Sequence, residues 1–144
     1  MRVAFVAESF LPHMNGVTGS VLQSVRHLTA SGHEALVVAP GAPGARADAQ
    51  TRLLPSMPLP GYPQVRVALG RTGTLAGILR DYRPDVVHLA SPFVLGWRAV
   101  AAAASLDLPT VAVYQTDVIA YARKYGLPRA TALTAAHVAR LHAR

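Results

Sequence analysis

The residues best suited to chemistry lie in short segments that each follow an apolar run with the composition of a buried β-strand. The first segment, residues 8–19, contains the letters NGVTGS, in which Gly16 and Gly19 come directly before a helix-like pattern. Glycines there let backbone amides approach an anion, which the helix dipole also attracts. The segment therefore predicts phosphate or sugar binding, with a purely structural role for both glycines as the alternative. The G-x-x-G spacing is not the dinucleotide-binding fingerprint.

Three further candidates follow other strands. His88 lies at the end of the predicted strand in the segment DVVHL, 85–89, so it is either a ligand-facing residue or a hydrogen-bonded core histidine. Residues 114–117 place four polar side chains directly after an apolar strand, which favours a functional cluster. Glu8 is the acid nearest the end of the first strand, and it either binds a sugar hydroxyl or pairs with a basic neighbour.

Several kinds of chemistry are disfavoured. The chain has no cysteine, which excludes disulfides, thiolate metal sites and a catalytic cysteine. His13 and His33 lack metal-ligand spacing, and no serine or threonine has a convincing histidine and aspartate partner for a triad. A zinc site is therefore disfavoured.

The elements that position these segments alternate between strands and helices. Apolar periodicity predicts a first helix capped by Ser20 and ended by Gly32, and the prolines of 40–63 predict a surface excursion without a central strand. The predicted strands are 3–7, 35–39, 65–69, 86–89 and 110–114, and the later predicted helices are 74–82, 94–105, 118–125 and 130–144. This order predicts an α/β, Rossmann-like parallel sheet with helices on both faces. Ligands of such sheets bind beyond the carboxyl ends of the strands.

Size and charge restrict the class of protein. The 144 residues fit one domain, and the first apolar run reads as a strand rather than a signal peptide, which favours a cytoplasmic location. A formal charge of +7 favours anionic partners. We expect no nucleic-acid binding, because the chain has one lysine, dispersed arginines and no aromatic stacking platform.

The ordered motifs resemble the N-terminal domain of retaining GT-B glycosyltransferases. The resemblance is carried by PHMNGV at 12–17, SGHE at 31–34, DVVH at 85–88 with Ser91 and Pro92, and YQTD at 114–117 with Tyr121 and Tyr125. Within that family, the stretch 54–62 and the pair at 116–117 are most similar to mannosyltransferases and sulfoquinovosyl-type lipid glycosyltransferases. One departure is Gln115, where many relatives have a histidine close to the transferred sugar.

The resemblance implies that residues 1–144 form the acceptor-side domain and that a C-terminal domain, absent here, binds most of the nucleotide-sugar. The implied activity is transfer of a hexose, of mannose or glucose type, from GDP-mannose or a UDP-sugar to a lipid or glycan acceptor. The resemblance also implies no metal and no cofactor besides this donor, and the chain alone is expected to be inactive. The candidate catalytic residues are Gln115, Thr116 and Asp117, and the candidate substrate-binding residues are Glu8, Asn15, Gly16, Thr18, His88, Ser91 and Tyr121.

Two other classes remain open on the sequence alone. A noncatalytic Rossmann-like nucleotide-binding module would share the parallel sheet and the glycine-containing loop. A basic module for membrane or protein interaction would use the C-terminal cations, since His137, Arg140 and Arg144 have helical spacing. With Arg123, Lys124 and Arg129 they predict peripheral docking on an anionic membrane, the alternatives being a solvated face or a surface covered by the missing domain.

Overall fold

The computed structural model describes residues 1–91 and 93–113, without the side chains of residues 62 and 64. Ten elements occur in this part of the chain. They are β1 (Arg2–Val6), α1 (Gly16–Ala30), β2 (Glu34–Pro40), β3 (Thr51–Leu54), β4 (Ser56–Leu59), β5 (Tyr62–Ala68), α2 (Thr72–Tyr82), β6 (Val86–Leu89), α3 (Val94–Ala104) and β7 (Thr110–Ala112).

A five-stranded parallel sheet has the spatial order β3-β2-β1-β6-β7. Phe5 of β1 is level with Val37 of β2 on one side and with His88 of β6 on the other. From β1, the chain first adds β2 and β3 on one side of the sheet and later adds β6 and β7 on the other side. The direction of strand addition therefore reverses between β1 and β6. Such a reversal opens a crevice at the carboxyl ends of the two strands.

Helices cover both faces of this sheet, which confirms the predicted Rossmann-like α/β architecture. On one face, Val21 of α1 packs with Phe5 and Val37. On the other, Leu75 of α2 and Leu95 of α3 pack with the alternate side chains of the same strands. The strands are rich in β-branched residues because both of their faces are buried.

The first helix begins earlier than predicted. Its N-cap is Asn15, whose side chain accepts a hydrogen bond from the Thr18 amide at 2.9 Å, and Ser20 lies inside the helix. The apolar period locates only the buried stripe, whereas the cap is set by the loop before it. The predicted end at Gly32 is confirmed: its φ is +79°, and the His33 amide donates to the carbonyl of Leu28 at 2.9 Å.

The prediction for residues 40–63 was wrong in part: no central strand lies there, but the stretch is not a continuous loop. This stretch contains β3, an edge strand of the parallel sheet, and β4, which pairs with β5 as an antiparallel hairpin. The predicted third strand, 65–69, largely falls in β5 and so belongs to the hairpin rather than to the main sheet. Prolines are tolerated here because edge strands and two-stranded hairpins leave backbone amides without a required partner.

Candidate functional site

The crevice lies where the loops after β1, β2 and β6 meet. The loop after β1, residues 7–15, leads directly into α1, and the segment after β6 leads into α3. The Ala90 amide donates to the carbonyl of Val6 at 2.9 Å, which joins the ends of β6 and β1. The sequence therefore folds so that the N-termini of two helices face the crevice.

Side-chain hydrogen bonds fix the loop after β1. Asn15 donates from its Nδ2 to the Ser9 hydroxyl at 2.8 Å while its Oδ1 caps α1. Thr18 is fully buried and its hydroxyl donates to the carbonyl of His13 at 3.0 Å. The structure thus gives Asn15 and Thr18 a loop-shaping role, and contact of either with substrate stays a prediction.

Gly16 occupies the first position of α1 and is exposed. A Cβ built on Gly16 would meet no atom within 4 Å, so the fold itself does not require glycine at this position. In the described part of the chain, the amides of Gly16 and Val17 have no acceptor. These amides are the unpaired donors that a helix N-terminus offers to an anion.

Glu8 binds the N-terminus of α3. Its Oε1 accepts hydrogen bonds from the amides of Leu95, at 2.6 Å, and Gly96, at 3.1 Å. Burial raises the pKa of the Glu8 carboxyl to about 7, although these two hydrogen bonds and the charge of Arg98 lower it. Oε2 forms no hydrogen bond within the described residues, so the predicted contact with a sugar hydroxyl remains open to it.

His88 lies on the face of the sheet that α1 covers. Its ring is stacked at a tilt on Phe5, with 4.7 Å between the centroids. Its Nδ1 is buried and has no hydrogen-bond partner among the residues described, and burial lowers the pKa of the imidazole. The neutral ring is therefore favoured. Ser91, three residues further on, is 4% exposed, and substrate contact by His88 or Ser91 stays a prediction.

Sequence reasoning missed Arg66. A pocket beside the crevice brings it together with Glu8, Ser9, Phe10 and His13 of the loop after β1 and with Pro40 and Ala42 after β2. Arg66 stands between valines in β5, and a cation in an otherwise apolar strand was the available signal. The hairpin that carries it was not recognised, so its place at the crevice could not be inferred.

Gln115, Thr116, Asp117 and Tyr121 lie outside the described residues, as do the basic positions from Arg123 onwards. Their roles stay predictions. Within residues 1–91 and 93–113 there is no group of three or more side chains placed to hold a metal ion. None of the helices in that part of the chain is long and apolar enough to cross a membrane.

The fold defines a Rossmann-like domain with a crevice at the switch point between β1 and β6. The sequence model of Glycosyltransferase Family 4 matches residues 14–144. The chain belongs to this family, as the order of its motifs predicted.

Curated relatives support the membership. A GDP-mannose-dependent alpha-mannosyltransferase of Corynebacterium glutamicum is 48% identical over 92% of this chain and 33% of its own length. One of the same description from Mycolicibacterium smegmatis is 44% identical over 100% of this chain and 40% of its own length. A sulfoquinovosyl transferase of Arabidopsis thaliana is 30% identical over 86% of this chain. The chain thus spans 33–40% of the length of the two mannosyltransferases.

Proposed function

We propose that this chain is the acceptor-side domain of a retaining GT-B enzyme that transfers mannose from GDP-mannose to a lipid or glycan acceptor. The observation that carries the proposal is the 48% identity to a GDP-mannose-dependent mannosyltransferase across 92% of the chain. The open crevice at the carboxyl ends of β1 and β6 supplies a place for the reacting sugars. Most contacts to the nucleotide are assigned to a second domain, which makes residues 1–144 incomplete as a catalyst.

In this proposal the chain's own residues orient the acceptor and stabilise the departing diphosphate. The free amides of Gly16 and Val17 donate hydrogen bonds to the leaving diphosphate and so stabilise the negative charge that develops on it. Glu8, through Oε2, accepts a hydrogen bond from a sugar hydroxyl. Gln115, Thr116 and Asp117 meet the transferred sugar. Holding both substrates in one geometry contributes to the rate because the loss of their translational freedom has already occurred on binding.

The experiment compares donors with the whole protein and with residues 1–144. The whole protein is expected to transfer radiolabelled mannose from GDP-mannose to a membrane lipid extract, and to use UDP-glucose at least about tenfold less well. Residues 1–144 alone should transfer no sugar. Turnover by the 144-residue chain, or a preference for UDP-glucose, would contradict the proposal. Tight GDP binding by residues 1–144 without transfer would favour the nucleotide-binding module instead.

We further propose that the protein docks on an anionic membrane that carries its acceptor. Met57, Leu59 and Val65 are 48%, 40% and 47% exposed on the hairpin. Strand alternation places Met57 and Val65 on the face opposite Arg66 and Ala68, and Leu59 follows a register shift after Pro58. An exposed apolar face on a chain of net charge +7 suits the interface of a bilayer with acidic headgroups.

Sedimentation with vesicles tests the docking. The whole protein should bind phosphatidylglycerol vesicles more strongly than phosphatidylcholine vesicles at low salt, and the difference should disappear at high salt because the attraction is screened. The double variant Met57→Ser, Leu59→Ser should bind several-fold more weakly, about 0.8 kcal/mol being lost per buried CH₂ group. The control Leu11→Ser removes an exposed leucine outside the hairpin. Equal binding to both lipids at low salt would contradict docking through charge.

A further inference from the structure

Arg66 is a half-buried cation that the hairpin holds in a fixed position. Its Nε donates to the carbonyl of Gly41 at 2.8 Å and to the hydroxyl of Ser56 at 2.7 Å, and its Nη2 donates to the carbonyl of Ser56 at 3.1 Å. The Ser56 hydroxyl in turn donates to the carbonyl of Gly41. These bonds tie β4 and β5 to the segment that follows β2.

The contacts of Arg66 do not neutralise its charge. Both of its carbonyl acceptors and the hydroxyl are uncharged, and Nη1 has no hydrogen-bond partner in the part of the chain that is described. In that same part, the ion pair within 4.0 Å is Arg2 with Glu34, at the opposite end of the sheet. A cation that is partly removed from water loses part of its hydration energy, and an anion placed beside it offsets that loss.

A pocket that is open to solvent lies beside Arg66. Its lining includes His13 and Ser9, whose side chains can donate a hydrogen bond, and the apolar residues Phe10 and Pro40. Glu8 also lines the pocket, but its Oε1 is bound by the amides of α3. The pocket lies between the loop after β1 and the hairpin, on the edge where α1 begins.

We propose that Arg66, with His13, binds an oxyanion of the acceptor, a phosphate or a carboxylate group, in this pocket. The assignment of the anion to the acceptor rests on the proposed function. Anion binding by Arg66 and His13 rests on their contacts alone. A guanidinium whose other nitrogens are anchored presents Nη1 with little loss of conformational freedom, which favours binding of an oxyanion over a neutral group. The acceptor would then enter across the hairpin and place its hydroxyl towards Glu8 and Gly16.

The test uses direct binding, so that it does not depend on turnover. Inorganic phosphate and acetate are titrated separately into the whole protein, and the ring signals of His13 are followed by NMR. At least one of the two anions should shift the His13 signals in a saturable way, and the anion with the lower half-saturation identifies phosphate or carboxylate as the preferred group. The Arg66→Gln variant should need at least about tenfold more of that anion.

Matched variants separate binding from support of the hairpin. Ser56→Ala removes the hydroxyl contact but keeps the cation, and Arg52→Gln removes an exposed cation of β3, so both should bind the anion within about threefold of the parent protein. Arg66→Lys keeps the charge but concentrates it on one nitrogen and loses the planar guanidinium, so its half-saturation should fall in between. This variant tests the proposal if Arg66→Gln does not fold. Unchanged half-saturation in Arg66→Gln or Arg66→Lys, or the same loss in Ser56→Ala, would overturn the proposal. Sugar transfer without anion binding would refute this inference alone, and anion binding without transfer would refute only the proposed function.

Discussion

Gly16→Val is expected to lower kcat/KM of the whole enzyme by at least about 100-fold while leaving its stability nearly unchanged, since blocking access to donors at a developing charge should cost about as much as losing one of them. The expected loss comes from the isopropyl group, which would occupy the space directly in front of the free amides at the start of α1. Stability should be preserved because a Cβ on Gly16 meets no atom within 4 Å. Valine is also no worse than glycine as a helix residue. Steady-state kinetics and a thermal unfolding curve measure the two effects separately.

Gly73→Val provides the matched control. Gly73 also lies in the first turn of a helix, α2, is exposed, and has no atom within 4 Å of an added Cβ. This variant makes the same chemical change away from the loop after β1, so its kinetics should match those of the parent enzyme. If Gly16→Val and Gly73→Val had the same kcat/KM, the amides of Gly16 and Val17 would have no part in catalysis.

The parts of the fold that sequence could predict are those fixed by local pattern. The strand 86–89 was predicted with its observed limits because four consecutive residues, three of them apolar, precede a clear turn. Helix α2 ends at Tyr82 as predicted, since Pro84 disfavours helical backbone at the residue before it. The strands β3 and β4 were missed because the prolines of 55–63 suggested a loop. Those residues form strands because β3 pairs with β2 and β4 pairs with β5, and the local pattern of the sequence shows neither pairing.

The candidate site shows the same division between local and long-range information. The loop that contains Gly16 was located because glycines before a helix carry a local signal. The binding of Glu8 to the amides of Leu95 and Gly96 joins residues 87 and 88 positions apart, and no spacing in the sequence encodes it. Arg66 lies at the crevice only because the hairpin positions it there. Since the sequence did not predict the hairpin, Arg66 was not included in the predicted site. Family resemblance supplied the order of the motifs but not these contacts.

Glu8→Gln is expected to change how the free energy of unfolding depends on pH. Burial raises the pKa of Glu8 from 4.5 to about 7, so between these values the folded chain holds a proton that the unfolded chain has released. The free energy of unfolding therefore decreases as the pH rises through this window, by at most roughly 3 kcal/mol from this group. Glutamine does not titrate, and its carbonyl oxygen can still accept from the amides of α3. The variant should match the parent below pH 4.5 and be the more stable of the two above pH 7.

Urea unfolding of the 144-residue chain at several pH values measures this difference, with Trp97 as its single tryptophan. Trp97 directly follows the two residues whose amides bind Glu8, so its fluorescence reports on the start of α3. Asp81→Asn, which removes an exposed carboxylate of α2, corrects for the general effect of losing a negative charge. A constant difference between Glu8→Gln and the parent from pH 4.5 to 7 would show that Glu8 ionises at the same pH in the folded and unfolded chains. The burial of its carboxyl against α3 would then carry no electrostatic cost, and Glu8 would be a fixed anion at the start of α3 rather than a group that gains a proton near neutral pH.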